Sequence, residues 1–244
     1  MKRSWWLIPC LIVLALGAVG CAPQVITSTA GAEQSTGIWV VGQGETMAVP
    51  DIAELRLGVE AKAETVAEAQ TQASGAMGKV MRTLEDNGVA EKDIQTQYFS
   101  ISPVTKWIEN QNREEVIAYR VSNMVVAKIR DVDRAGDIID AVAQAGGDLT
   151  RIQGITFTVD DPTEYYEEAR KDAVENAHTK AEQLAESAGV KLGNPIYISE
   201  GSLYQPKSTR NLYDMAPAAE AGGTPISPGE LRITVNVQVV YAIG

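Results

Sequence analysis

Three stretches of this chain alternate apolar and polar residues with a period of two, and this alternation limits its fold more than any other feature. In the first stretch, Glu54, Arg56 and Glu60 separate apolar residues. Successive side chains of a β-strand point to opposite faces, so each stretch predicts a strand with one buried and one wet face. The predicted inward positions are Ala53, Leu55, Leu57, Val59 and Ala61 in the first, Tyr119, Val121, Asn123, Val125, Ala127 and Ile129 in the second, and Leu231, Ile233, Val235, Val237, Val239 and Tyr241 in the third.

Helical patterns separate these strands. Residues 65–68 (TVAE) form a capping box, because the Thr hydroxyl and the Glu carboxylate can each bond a free amide at a helix start, and Gly88 suits the position just past the helix end. Further helices are predicted at about 131–146 and 161–187, the latter opened by Asp161-Pro162. The predicted inner stripe of this last helix is mostly alanine and consists of Tyr166, Ala169, Ala173, Ala177, Leu184 and Ala188.

The remaining strands complete a ββαββαβαββ order. They are predicted at 38–44, 94–104, 154–159 and 196–199, and Gly42-Gln-Gly44 is interpreted as the turn that closes the first. Neighbouring strands joined by short links favour antiparallel sheet with helices on one face, which is the α+β class. The sustained βαβ alternation of a nucleotide-binding sheet is absent.

Two connections are long enough to suggest a function. The charged segment at 105–117 predicts a hairpin tip or flap and contains Trp107, whose exposure would mark a contact surface, although packing under the hairpin is an equal alternative. The second connection, 201–229, is an insertion rich in Gly, Pro, Ser and Ala, and connections of that length are usually functional or disordered.

The first 36 residues predict where the protein is targeted rather than a folded element. Residues 1–20 have a basic head and an apolar run, as in a secretory signal peptide. Cys21 follows small residues and resembles the lipobox cysteine of bacterial lipoproteins, whose thiol is acylated, although Ala18 stands where a leucine is usual. We expect Cys21 to be lipidated and 21–36 to be a flexible tether, with an uncleaved anchor or a non-lipidated secreted form as alternatives.

Composition limits the classes of partner that the domain at 37–244 can bind. The two cysteines are Cys10 and Cys21, so the mature body is expected to contain no disulfide. The net charge is −11 and becomes −13 when Lys2 and Arg3 leave with the signal. Such a surface repels phosphate backbones, so we expect no nucleic-acid partner. It also repels anionic headgroups, so we expect membrane attachment through the acyl chains on Cys21.

His178, the single histidine, is the first residue to test as a general base or ligand. One histidine cannot build a multi-histidine zinc site, and the chain contains no Gly-x-Ser-x-Gly nucleophile motif. A structural or solvent-facing role is therefore favoured. We predict no catalytic, cofactor or metal residues.

The other patterns favour structural explanations. Asp131 and Asp133 open a calcium-like loop with Gly136 at position 6, but Ala135 and Val142 stand where ligands are needed, so helix capping explains the aspartates better. Gly42-Gln-Gly44 is too short for a phosphate loop. The paired acids could act as acid and base, but adjacent residues point apart and a solvated face is favoured. These pairs are Asp160-Asp161, Glu114-Glu115 and Glu167-Glu168, and the aromatic pair Tyr165-Tyr166 is assigned in part to the core.

Several segments in the same order resemble the SIMPL-domain (YggE-like) family over residues 37–244. They include IWVVGQGETMAVPDIAELRLGVEA, YRVSNMVVAKIRDVDRAGDIIDAVAQAG and EEARKDAVENAHTKAEQLAESAGVKLG. The resemblance implies an extracytoplasmic α+β protein that is often oligomeric and is linked in some members to stress tolerance. It implies no catalytic residues.

Three functions are consistent with these patterns. The leading one is a non-enzymatic, lipid-anchored envelope protein that acts by self-assembly, as a homo-oligomer, or by binding an envelope protein. The second is a receptor for a small molecule or ion, and the third, a hydrolase, lacks a nucleophile motif. The ligand, the oligomer number and the membrane that receives the lipid stay open.

Overall fold

The chain forms two antiparallel sheets and three helices in the part that the computed structural model describes, which is residues 37–201, 207–209 and 224–244. These residues belong to one unit, Thr36–Gly244. The signal peptide, Cys21 and the tether predicted at 1–36 lie outside the described residues, as does most of the insertion predicted at 201–229. The elements are β1 (Ile38–Ala48), β2 (Ile52–Ala63), α1 (Val66–Asp86), β3 (Ile94–Ile108), β4 (Arg113–Ile129), α2 (Ala135–Gly146), β5 (Thr150–Thr158), α3 (Thr163–Ala188), β6 (Leu192–Glu200), β7 (Lys207–Thr209) and β8 (Glu230–Ile243).

The two sheets confirm the predicted α+β class. The first sheet has the order β1-β8-β6, with the short β7 also paired to β8, and the second has the order β3-β4-β2-β5. All pairings are antiparallel. The expectation that neighbouring strands pair is wrong for β1 and β2, because the link at 49–51 takes the chain from one sheet to the other.

Helices α1 and α2 cover one face of the second sheet. The inward side chains of β2 and β4 are those that the alternation predicts, and they pack against Val80 and Leu84 of α1 and Ile138 of α2. Helix α1 begins as predicted, because the Thr65 hydroxyl accepts a hydrogen bond from the Glu68 amide at 3.3 Å. It also ends as predicted, since Gly88 has a φ of 90°.

Helix α3 covers the first sheet mainly with alanine, and the partly buried Tyr166 packs beside these alanines as predicted. Its fully buried residues follow a four-residue spacing and are Ala169, Ala173, Ala177, Ala181 and Ala185. The predicted stripe is wrong at Leu184, which is 50% exposed, and at Ala188, because position 181 rather than 184 continues the spacing. Short side chains allow the helix backbone to lie close to the strands.

Gly42 and Gly44 lie inside β1, directly under α3, so the predicted turn at these glycines is wrong. A Cβ atom at Gly44 would overlap the carbonyl oxygen of Ala169 and the amide nitrogen of Ala173. A Cβ atom at Gly42 would overlap the carbonyl oxygen of Ala173 and the amide nitrogen of Ala177, one helical turn further along α3. Glycine here serves the close approach of a helix to a strand.

Side chains of α3 also bond the backbone of β1. The Asn176 Oδ1 accepts a hydrogen bond from the Gln43 amide at 3.1 Å, and the Lys180 Nζ donates to the Val41 carbonyl at 2.8 Å. These bonds satisfy polar groups of a strand that forms an edge of its sheet.

A small apolar cluster and one polar link connect the two sheets. The cluster contains Ala48 of β1, Val159 after β5, and Leu231 and Ile233 of β8. Thr224, near the end of the predicted insertion, donates to the Asp140 carboxylate of α2 through its amide at 2.9 Å and its hydroxyl at 2.6 Å. Within the second sheet, the Asp51 carboxylate just before β2 accepts from the Asp160 amide just after β5 at 2.8 Å.

Arg130 connects the segments before β3 and before α3. Its guanidinium donates two 2.9 Å hydrogen bonds to the Asp93 carboxylate and one of 2.6 Å to Asp160, which Lys128 also contacts. The hydrogen bonds from Arg130 hold the pKa of Asp93 below its usual range, and those from Lys128 and Arg130 do the same for Asp160.

We expect Gly44→Ala to lower the free energy of unfolding by about 3 kcal/mol, because the added methyl group meets helix backbone rather than a movable side chain. Gly75→Ala is the matched control. Gly75 lies in α1 with open space around its Cβ position, so alanine there should stabilise by about 0.5–1 kcal/mol. Urea unfolding measures both, and equal effects of the two substitutions would contradict the proposed helix–strand contact.

We expect the stabilising effect of Arg130 to depend on pH. The pKa values of Asp93 and Asp160 are lower in the folded than in the unfolded chain, so their contribution is present above the unfolded value of about 4 and is lost as the pH falls through the folded value. Arg130→Gln should therefore lower the unfolding free energy at pH 7 and lose most of that effect near pH 2. The exposed Arg82→Gln serves as control, and a pH-independent difference for Arg130→Gln would contradict the assignment.

Candidate functional site

His178 lies on the exposed side of α3. Its ring is 5.8 Å from the buried Tyr241 ring in an edge-on arrangement, and its Nδ1 is 3.6 Å from the Glu182 carboxylate one turn along. Burial raises the pKa of the Tyr241 phenol, so Tyr241 is poorly suited to act as a base beside it. A half-exposed histidine beside a half-exposed glutamate on one helix agrees with the predicted structural or solvent-facing role.

The predicted pair Asp160-Asp161 serves two separate structural contacts. Asp160 binds Lys128 and Arg130, whereas Asp161 accepts hydrogen bonds from the Thr163 amide at 3.1 Å and the Thr163 hydroxyl at 2.6 Å. These bonds lower the pKa of both carboxyls, which opposes a role as general acid. The predicted cap is displaced by one residue: Pro162 rather than Asp161 is the N-cap of α3, and Asp161, just before it, bonds the first helical residue, Thr163.

The other paired acids are also separated. Glu168 accepts a 2.8 Å hydrogen bond from the Thr46 hydroxyl of β1, while Glu167 is exposed on α3. Glu114 and Glu115 lie opposite Trp107 and Lys106 in the β3–β4 ladder and are exposed.

The aspartates of the calcium-like loop do not cap α2 with their side chains, so that part of the prediction is wrong. Residues 132–134 form a single 3₁₀ turn, in which the backbone carbonyl of Asp131 accepts from the Arg134 amide at 3.1 Å. Helix α2 begins only at Ala135. Within residues 37–201 and the two shorter described ranges, no three His, Cys, Asp or Glu side chains come together as a metal site.

The strongest candidate for function is a hairpin formed by the long strands β3 and β4, here called the β3–β4 arm (residues 98–119). Pairing continues to Ile108 opposite Arg113, well into the segment that the sequence predicts as a flap. A 3₁₀ turn at 109–111 and Asn112, with a φ of 47°, close the arm. Asn tolerates this left-handed conformation, so Asn112 is the signal that could have located the turn.

The arm exposes large apolar side chains on a strand that no helix covers. Phe99, Ile101 and Trp107 of β3 are 53%, 42% and 52% exposed, and Val116 and Ile117 of β4 are similarly open. Of the two alternatives predicted for Trp107, its exposure favours a place on the surface over packing under the hairpin. β3 is also an edge strand, interrupted by Pro103 and by two register shifts, and such features discourage uncontrolled pairing of an edge.

A second apolar surface lies on the face of the first sheet opposite α3. The Trp39 and Tyr197 rings are 6.5 Å apart across it, and Val41 and Met47 are exposed farther along the same side of β1. We did not predict this surface from the sequence. Its signal is that Trp39, Val41 and Met47 occupy alternate positions of β1, although the polar Gln43 and Glu45 lie between Val41 and Met47.

None of the described helices is both long and apolar enough to cross a membrane.

Comparison with known proteins agrees with this fold. A family described as "SIMPL: Protein of unknown function (DUF541)" matches residues 38–241. The chain is 34% identical over 220 residues to the 26 kDa periplasmic immunogenic protein of Brucella melitensis, with 86% of each chain covered. It is 31% identical to "Uncharacterized protein YggE" of Edwardsiella ictaluri over 213 residues, with 86% of this chain and 87% of the relative covered.

The Escherichia coli K12 protein of the same name is 31% identical over 205 residues, which cover 83% of this chain and 81% of the relative. The match begins at β1 and ends within β8, so it spans both sheets and all three helices described above. The resemblance seen in the sequence is therefore confirmed, and the chain belongs to the SIMPL family.

Proposed function

We propose that this chain is a lipid-anchored, extracytoplasmic protein of the cell envelope that acts by protein–protein contact, through self-assembly or a partner, and not by catalysis. The observation that carries the proposal is the β3–β4 arm, which presents Phe99, Ile101 and Trp107 to solvent on an edge strand. Large apolar side chains exposed along an edge strand favour an interaction site.

The geometry of the arm suits a contact surface. Of the described elements, only β4 makes extensive contacts with β3, so beyond Ile94, which packs against the helix-covered core, the faces and the outer edge of β3 are largely open. Trp and Phe bury large areas at small entropic cost, and aromatic residues are enriched among the residues that dominate binding energy. The arm therefore offers a rigid ladder with anchor side chains.

The extracytoplasmic location rests on two independent supports. The name of the Brucella relative describes that protein as periplasmic, and the leader at 1–20 of this chain has the layout of a secretory signal. The small residues before Cys21 then favour acylation of its thiol, and two or more acyl chains provide stable anchoring.

The proposal against catalysis rests on the electrostatics of the predicted acids. Asp160 and Asp161 are held ionised by structural partners, and His178 bonds no orienting acid inside a cleft but meets Glu182 on an open helix surface. These groups are arranged to support the fold, whereas catalytic groups are usually brought together in a cleft.

We expect a photo-crosslinking amino acid at position 107 of the full-length chain, expressed in a bacterial envelope, to capture a second copy or one other protein. The same group at position 184 is the control, because Leu184 is as exposed as Trp107 but lies on α3. In purified protein, Phe99→Thr and Trp107→Thr should each weaken the contact about 30-fold, the usual effect of losing a dominant aromatic. Equal crosslinking at 107 and 184, or none at 107, would contradict the proposal.

We expect the full-length chain to incorporate a labelled fatty acid and to enter the detergent phase, and Cys21→Ser to incorporate none. Cys10→Ser is the matched control, since Cys10 lies within the leader and should leave labelling unchanged. Intact mass should show loss of residues 1–20 only when Cys21 is present. Labelling that survives Cys21→Ser would refute the proposed anchor.

A further inference from the structure

The face of the second sheet opposite α1 and α2 contains an open trough of about 420 Å³, a volume within the range of small-molecule sites. It is lined by polar side chains from four strands. The residues used below are Glu60 of β2, Tyr98, Ser100 and Ser102 of β3, Arg120 of β4 and Arg151 of β5.

The sheet register brings these side chains together. Glu60 lies opposite Ser122, which in turn lies opposite Ser100, and Arg120 lies opposite Ser102. Their neighbours along each strand point into the helix-covered core, so this set points outward.

Glycine and methionine form the base of the trough. Gly58 lies opposite both Arg151 and Met124, and a Cβ atom there would collide with the Met124 sulfur and with the Asn123 carbonyl. The Met124 side chain thus occupies the space over Gly58 and is 95% buried, since only 5% of it is exposed.

Two guanidinium groups flank one carboxylate in the trough. The Glu60 Oε1 is 3.6 Å from the Arg120 Nε and 3.8 Å from the Arg151 Nη2, and both distances exceed that of a hydrogen bond. The Arg151 Nη1 donates instead to the carbonyls of Asp148 and Thr150 at 3.0 and 2.8 Å, which fixes that guanidinium in place. The three charged groups have a net charge of +1 in a chain whose total is −11.

The trough therefore holds more donors than it uses. Among the described residues, Arg120 makes no hydrogen bond within this set, and the hydroxyls of Ser100 and Ser102 likewise have no protein partner. The Ser122 hydroxyl reaches Glu60 only at 3.4 Å. Arg56 and Lys62 lie on the same outward face of β2, as does Glu54, so the strand itself adds no net positive charge and the excess comes from Arg120 and Arg151. Unused arginine and hydroxyl donors match an oxyanion that also bears hydroxyl groups.

We propose that this trough binds a sugar-like ligand that carries a carboxylate or phosphate group. The oxyanion takes the guanidinium donors of Arg120 and Arg151 in place of Glu60, the hydroxyl groups bond Ser100 and Ser102, and the Tyr98 ring flanks the ligand. A cation is disfavoured because both arginines adjoin the carboxylate. A polyphosphate is disfavoured because the net charge of the whole chain repels it. This goes beyond the proposed contact function and does not depend on it.

Calorimetric titration of the full-length protein in neutral detergent with D-glucuronate, glucose 6-phosphate, D-glucose and inorganic phosphate tests the proposal. At least one of the two acidic sugars should bind about 10-fold or more tightly than D-glucose, in line with hydrogen bonds to charged groups, and comparison of the two assigns the oxyanion as carboxylate or phosphate. Arg120→Gln should weaken that binding about 10-fold, whereas Arg56→Gln, on the same face but outside the trough, should change it less than about twofold.

The direction of the affinity change in Glu60→Gln is the decisive measurement. Removal of the carboxylate leaves both guanidinium groups without a neighbouring negative charge, so it should tighten binding of the acidic sugar severalfold. Weaker binding in Glu60→Gln, no binding of either acidic sugar, or equal loss in Arg56→Gln and Arg120→Gln would overturn the proposal. If inorganic phosphate binds as tightly as glucose 6-phosphate, the proposal that the ligand is sugar-like would be wrong. Unchanged melting temperatures show that the variants fold, and unchanged crosslinking at position 107 separates this result from the contact function.

Discussion

In the described part of the chain, the fold depends on covering one face of each of two sheets with three helices. Helix α3 alone covers the first sheet, and it does so by bringing an alanine stripe against Gly42 and Gly44 of β1. Helices α1 and α2 cover β2 and β4 of the second sheet and reach β3 only at Ile94. Much of the opposite face of each sheet and nearly all of β3 consequently meet solvent. The candidate surfaces all lie where helix cover ends.

The edge strands of the two sheets are protected in different ways. The edge strand β1 is bonded by Asn176 and Lys180 of α3, so two of its backbone groups, the Gln43 amide and the Val41 carbonyl, are satisfied within the protein. No comparable side-chain bond reaches β3 in the part of the chain that the structure describes; this strand carries Pro103 and two register shifts instead. These features prevent open-ended strand addition while leaving the apolar side chains accessible. An edge protected in this way favours defined contact over aggregation.

Features that depend on neighbours in sequence could be predicted, and features that depend on distant pairing could not. The alternation of β2, β4 and β8 and the cap at Thr65 follow from local geometry, so their burial and bonding were foreseen. The placement of β1 and β2 in different sheets was missed because it depends on which distant strand each one pairs with. Gly42 and Gly44 look like a turn until α3 is laid over them. The trough was missed for the same reason, since Glu60, Arg120 and Arg151 are far apart in sequence and meet only through the register.

Acidity and anchoring act in opposite senses on the proposed assembly. A net charge of −13 on the form without its leader repels other copies at long range, but physiological salt screens such repulsion beyond about 8 Å. Apolar contacts at the arm act within that distance. The proposed acyl chains on Cys21 would confine copies to one surface and raise their effective concentration there, so that a contact too weak to persist in free solution would become sufficient on the membrane. Under this proposal the anchor and the arm together set the extent of assembly, and purified protein that lacks its lipid should assemble less than the lipidated form.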